Sequence, residues 1–193
     1  MANAESLETI VLPHLEQYPI YAVLFREVGN ADFLRKQLLE GNTEFEYTFL
    51  DASAILCREH LLAACFRAIN DLARNRLRTK NVHSEIVFSL SPNNNIAESF
   101  KRFGISADSK NIVALKVAAN AKPKSDVEVH LLQHVHGNAS LLKDSDLVGL
   151  RDLTKLAKIY KFDTKTAAGG QLTPAEQDRT LSVVLGTMAL KGS

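Results

Sequence analysis

Apolar and polar positions along the 193 residues fall into short runs whose periods differ. ETIVL and YPIYAVLFREV open the chain as two apolar runs bracketed by Pro13 and Pro19, which predicts two strands. Asn30 reads as the cap of a helix over ADFLRKQLLE, with Phe33, Leu34 and Leu38 facing inward beside Gln37 and Gly41 ending it. EYTFLD predicts a short strand. Over residues 57–78, Leu62, Phe66, Ile69, Ala73 and Leu77 recur at helical spacing and predict one long helix with a single apolar stripe.

SEIVFSL then reads as a buried strand, ended by Pro92, which cannot donate to a ladder. The segment SPNNNIAESFKRFGI carries the grammar of a capped helix. Asn95 caps it with Glu98 three residues on, and Ile96, Phe100 and Phe103 face inward. Gly104 supplies a left-handed end, with Ile105 as its apolar contact. Local chemistry accounts for this stretch except Asn93 and Asn94, which are left over for a partner. NIVALKVAA predicts a last strand. Three helical patterns follow: SDVEVHLLQHVH, SDLVGLRDLTKLAKIYK and TPAEQDRTLSVVLGTMALK, the last two separated by the small, polar loop DTKTAAGGQ.

Strands alternating with helices, then helices alone, indicate an α+β fold: a small mixed, largely antiparallel sheet with helices packed on it in two layers, and a helical C-terminal region. One domain over 1–193 is expected, with an α/β core over about 1–120 and a helical extension over about 125–193 packed on it. Neither repeats nor low-complexity tracts interrupt the pattern. An apolar fraction of 46% with 23% charged residues suits a soluble domain, and no apolar run reaches membrane-spanning length. The opening MANAESLETI lacks the basic and apolar regions of a signal peptide. Cys57 and Cys65 stand about 12 Å apart on a helix axis, too far for a disulfide, so both are expected as small core residues in a reducing, intracellular setting.

Net charge is +1 yet unevenly placed. Residues 1–66 hold ten acids against four bases, leaving 19 bases against 12 acids in the rest. The densest basic run is RAINDLARNRLRTKN, where Arg67, Arg74 and Arg78 fall on one helical stripe. Arginines near a helix end ordinarily solvate the surface and meet the dipole. The alternative is phosphate contact, with Arg74, Arg76, Arg78 and Lys80 as candidate RNA-binding residues.

A search for enzymatic signatures yields little. Phosphate loops, dinucleotide fingerprints and nucleophile elbows are absent, and Gly169-Gly170 sits in a polar loop rather than between a strand and a helix. His130 and His134, one turn apart, with His136 beyond, have the spacing of a metal-ligand pair but no neighbouring glutamate or cysteine. They read as a solvated helix face, and no metal or cofactor is expected. In the last helix Leu181, Val184, Leu185 and Met188 form an apolar stripe flanked by the small residues Ser182, Gly186 and Ala189. Such a helix either docks on its own domain or packs against a partner protein.

The stretch RLRTKNVHSEIVFSLSPNNNIAESFKRFGI resembles the signature of the TPRKB family, the small kinase-binding subunit of the KEOPS (EKC) complex. Arg78-Thr79-Lys80-Asn81, Ser84-Glu85, Leu90-Ser91-Pro92 with Asn95-Ile96, and Phe103-Gly104-Ile105 carry the likeness, in the family's order. It covers residues 21–117 and returns weakly at Lys158-Ile159-Tyr160-Lys161 and Leu190-Lys191-Gly192. The loop at 163–173 and the histidine segment 130–136 depart from the family pattern.

The resemblance implies a non-catalytic subunit of the complex that places a threonylcarbamoyl group on the adenosine beside the anticodon, in tRNAs reading codons that begin with A. It implies direct binding to the small lobe of an atypical kinase/ATPase subunit, and indirect linkage to the threonylcarbamoyl transferase. It further implies a location in nucleus and cytoplasm, and tRNA contact, since archaeal relatives are reported to hold the acceptor end. On this reading Leu181, Val184, Leu185 and Met188 bind the kinase, and Arg74, Arg76, Arg78 and Lys80 contact tRNA. The alternative is a stand-alone basic RNA-binding module without a kinase partner.

Overall fold

The structure, a computed structural model, describes residues 6–119, 123–163 and 171–191. Most of the predicted polar loop, including Gly169-Gly170, lies outside them.

The sheet is built on β2 (Ile20–Arg26), whose residues alternate strictly between two apolar clusters. Ile20, Ala22 and Leu24 enter one, while Val23 and Phe25 enter the other. β4 (Ile112–Val117) lies antiparallel on one edge of β2, from Ile20 opposite Val117 to Phe25 opposite Ile112, and β3 (Thr48–Asp51) pairs antiparallel with β4 beyond it. Two short strands share the other edge of β2: β1 (Glu8–Ile10) along Ile20–Ala22, and β5 (Asn138–Ser140) along Leu24–Arg26. Every pairing is antiparallel.

Helices cover both faces, so the α+β class holds with the sheet sandwiched rather than covered on one side. The smaller cluster packs α1 (Ala31–Leu39) and α5 (Lys124–His134) through Ala31, Leu34, Val127 and Leu131. The larger one packs α2 (Arg58–Ala73), α3 (Val82–Leu90), α4 (Ile96–Phe103), α6 (Asp144–Leu150), α7 (Leu153–Tyr160) and α8 (Pro174–Ala189). Residues from both ends of the chain meet in it, Leu61 and Ile69 joining Leu156, Val184 and Met188. Among the described residues no helix is long and apolar enough to cross a membrane.

Several elements differ from the sequence expectation. SEIVFSL is not a strand; it belongs to α3. That helix is buried on nearly every side, so it lacks the polar face that reveals a helical period. Asn81 caps it, accepting from the Ser84 N–H at 2.9 Å. The long helix stops at Ala73, because Asn75 turns left-handed at φ 53°, and Leu77 and Arg78 lie beyond it. Its inward face is Leu61, Ala64, Cys65, Ala68 and Ile69, whereas Phe66 is 43% exposed. Alanines define this face because α2 packs closely on α3, and small residues register weakly in an apolar pattern. Both cysteines are free and buried.

The pattern 145–161 divides into α6 and α7 where Asp152 caps the second helix, accepting from Lys155 N–H at 2.9 Å. Phe33, Ile96 and Phe100 are exposed rather than inward. Gly104 is extended at φ −69°, not left-handed, and bridges to Leu50. A β-carbon there would stand 2.7 Å from the Phe100 carbonyl oxygen, so close backbone approach, not handedness, requires glycine. Asn95 caps α4 as expected, but the Glu98 carboxylate pairs with Arg102 at 2.7 Å instead of closing a capping box. A complete box stands at α8, where Thr173 and Glu176 cap each other.

Candidate functional site

The basic run becomes a loop between α2 and α3, and one carboxylate shapes it. Glu85, buried in the first turn of α3, accepts from the backbone N–H groups of Arg78 at 3.0 Å and Thr79 at 2.8 Å, and from the Thr79 hydroxyl at 2.6 Å. Asn81 adds a bond from its amide to Glu46 at 2.8 Å. With its backbone held inward, the loop turns its cations out. Arg74 and Arg76 are exposed, Arg76 pairing with Asp71 at 2.9 Å. Arg78 reaches Asn94 at 3.4 Å, so Asn94 meets a partner within the chain, and Asn93 accepts from the Asn95 N–H at 3.1 Å. Glu85 was not singled out from the sequence as a site residue. The available signal is an acid at the start of an otherwise apolar run, directly after a basic one.

Beside this loop lies a cleft of about 690 Å³ between α1, α3 and α4. Leu38, Phe45, Tyr47, Phe49 and Phe100 form apolar walls, and Arg35, Lys80 and Lys101 bring three cations to its lining. Lys80 is the residue of the predicted basic set that the structure brings here. Arg74, Arg76 and Arg78 stay on the loop outside, and Arg35 and Lys101 arrive from other helices. His83 also lines the cleft. Its Nε2 accepts from the Val117 N–H at 3.0 Å, and burial, aided by Lys116, pushes its pKa down to about 3. The ring is therefore neutral, with its proton on Nδ1.

The histidine segment forms an aromatic stack rather than a ligand set. His130 Nδ1 lies 2.9 Å from the Tyr47 hydroxyl, and the His130 and His134 rings lie 4.4 Å apart against Phe45. His136 lies beyond α5, where its N–H donates to Asn30 at 2.9 Å. The grouping with metal-like spacing among the described residues is Cys57, Glu59 and Asp144. There burial pushes the Cys57 thiol up to about 11, and Asp144 already accepts from the Arg58 N–H at 2.7 Å.

The last helix divides its residues by face. Val184 and Met188 lie in the larger core cluster, and Leu181 and Leu185 are half-buried against it. Of the four residues expected to bind a kinase, Val184 and Met188 are thus buried in the chain itself, where they dock α8 on its own fold. The outward face holds Ser182, Gly186 and Ala189, with Val183, 45% exposed, and Leu190, 72% exposed, along one side of them. A β-carbon at Gly186 would meet nothing within 4 Å. Arg67 leaves the predicted basic stripe altogether and turns its guanidinium onto the end of α8.

Residues 25–192 match a protein family described as kinase binding protein CGI-121. The chain belongs to the CGI-121 family. Family membership bears out the resemblance carried by the 76–105 signature. Relatives extend it to nearly the whole chain. A protein of Aspergillus terreus named EKC/KEOPS complex subunit cgi121 is 44% identical, covering 98% of this chain and 99% of the relative. The Aspergillus fumigatus protein of that name is 43% identical over 97% of each chain. Its Schizosaccharomyces pombe namesake is 31% identical over 95% of this chain and 99% of its own length.

Proposed function

We propose that this chain is a non-catalytic accessory subunit of an EKC/KEOPS complex that modifies tRNA with N6-threonylcarbamoyladenosine. It binds the small lobe of the complex's atypical kinase/ATPase, and through that subunit it is linked to the transferase. It works in nucleus and cytoplasm. The observation that carries the reading is membership of a kinase-binding family, joined to an α8 whose outer face is lined by small residues and open.

A glycine inside an exposed helix costs about 1 kcal/mol relative to alanine. Its presence at an open position suits close approach by a partner. On this reading Leu181 and Leu185, half-buried, edge the contact, while Val184 and Met188 hold the helix that makes it.

The second part of the proposal is help in positioning tRNA. Lys80 lines a cleft whose aromatic walls suit unstacked bases, Arg35 and Lys101 add charge there for phosphates, and Arg74, Arg76 and Arg78 stand on the loop outside it. Co-purification with the kinase subunit tests the first part. Wild-type chain retains the kinase and a folded Ala189→Arg chain does not; full retention by that variant overturns the assignment. For tRNA, affinity falls with salt, and Lys80→Ala shallows the slope by about 0.7 per lost phosphate contact. An unchanged slope removes the tRNA role of Lys80.

A further inference from the structure

The end of α8 is tied to two other helices, α2 and α3. A helix leaves its last carbonyls without partners inside the helix, and the negative end of its dipole lies there. Arg67, from the middle of α2, donates from one guanidinium nitrogen to the Met188 carbonyl and from the other to the Lys191 carbonyl, the second at 2.6 Å. Lys191 closes the other side. It is 5% exposed, donates to the Phe88 carbonyl of α3, and its ammonium lies 3.2 Å from the centroid of the Phe88 ring.

Burial of Val184 and Met188 decides which side of α8 faces the core, but such non-directional contacts set its exact rotation less sharply than directed bonds do. The forked guanidinium is not so tolerant, because its two donors require both carbonyls in fixed places. Gly186 and Ala189 bracket the first of those carbonyls in sequence, so whatever fixes it also fixes the outward face.

We infer that Arg67 is a positioning residue for kinase binding, setting the rotation at which α8 presents Ser182, Gly186 and Ala189; the inference rests on the α8 docking reading above. Arg67 is half-buried, and both its guanidinium nitrogens are engaged by these carbonyls. It acts through the two carbonyls alone.

The test compares Arg67→Met, which keeps the apolar stem and removes the donors, with Arg67→Lys, which restores a cation and donor. Ile69→Val serves as a control that lowers stability from the same helix. Affinity for the purified kinase subunit and amide exchange over residues 186–191 are measured for each full-length chain. Arg67→Met is expected to lose exchange protection at those amides and to bind the kinase at least tenfold more weakly, with part of both recovered in Arg67→Lys. Ile69→Val is expected to bind as wild type. Should Arg67→Met fail to fold, Lys191→Met cuts the clamp from its other side and is expected to shift both readouts the same way.

Wild-type affinity in a folded variant that has lost protection overturns the inference, and so does unchanged protection. An equal loss of affinity in Ile69→Val also overturns it, reducing Arg67 to a stability role. Ala189→Arg separates the two layers of the argument. If that chain binds the kinase normally, the docking reading fails; if it does not bind while Arg67→Met does, the positioning role alone fails.

Discussion

The 78–105 segment and helix α8 use their side chains in opposite directions. In the first, the residues that make the chain recognisable are largely committed to the chain itself. Glu85 gathers the loop backbone, Asn81 and Asn95 cap helices, and Gly104 passes within contact of Phe100. In α8 the pattern is weaker, yet one whole face is open. A segment that identifies a family is one whose backbone accepts few alternatives. A contact surface needs only shape and exposure, which leave a fainter pattern.

The largest effect that separates the two faces of α8 is a charge placed on the inner one. Val184→Arg buries an unpaired cation in the core and is expected to cost about 4 kcal/mol or more, read by urea denaturation. Val183→Arg, one residue away on the exposed side, is expected to stay within about 0.5 kcal/mol of wild type.

Acid attacks the interior at two histidines. His60 is buried, with Nδ1 accepting from the Leu56 N–H at 3.1 Å and Nε2 bonded to Tyr160 at 2.7 Å, and burial pushes it, like His83, down to about 3. Their folded pKa values lie below the unfolded value near 6.5, so the unfolded chain binds more protons between about 3 and 6.5. Stability is therefore complete above about 6.5 and is lost as pH falls through that window. At pH 5 the loss is about 2 kcal/mol for each histidine. Urea titrations at pH 7 and pH 5 measure it, and His83→Gln is expected to halve the difference.

Glu85→Ala strips the loop of its organiser and leaves inward-facing N–H groups unpaired, at a cost of about 2 kcal/mol. The same variant is expected to flatten the salt dependence of tRNA binding, because Arg78 and Lys80 lose their placement. The smallest contrast comes from two glycines. Gly104→Ala drives a methyl group into the Phe100 carbonyl and costs about 1–3 kcal/mol. Gly186→Ala meets open space and gains about 1 kcal/mol in thermal or urea unfolding.

What could be read from sequence follows from how burial writes a pattern. β2 and β4 were legible as long apolar runs, and α1 and α8 as helical patterns, although Asn30 makes no cap bond to α1 and instead binds the His134 carbonyl and the His136 N–H. α3 was not, because a helix buried on nearly all sides has no period and its Ile, Val and Phe mimic a strand. The face of α2 was misplaced because Ala64 and Ala68 bury well without being conspicuous. β5 is Asn-Ala-Ser, with nothing in its composition to mark a strand; pairing with β2 alone defines it. Of the site, Lys80 was legible as part of a basic run. Arg35 and Lys101 were not, since only the fold brings α1 and α4 to one cleft.

Helix α8 faces two ways at once, inward by Val184 and Met188 and outward by Gly186. Gly186→Arg addresses this most directly, through affinity for the purified kinase subunit measured alongside urea stability. The account predicts a chain within about 1 kcal/mol of wild-type stability whose kinase affinity has fallen by about 100-fold or more. A folded Gly186→Arg chain that binds the kinase as tightly as wild type would contradict it.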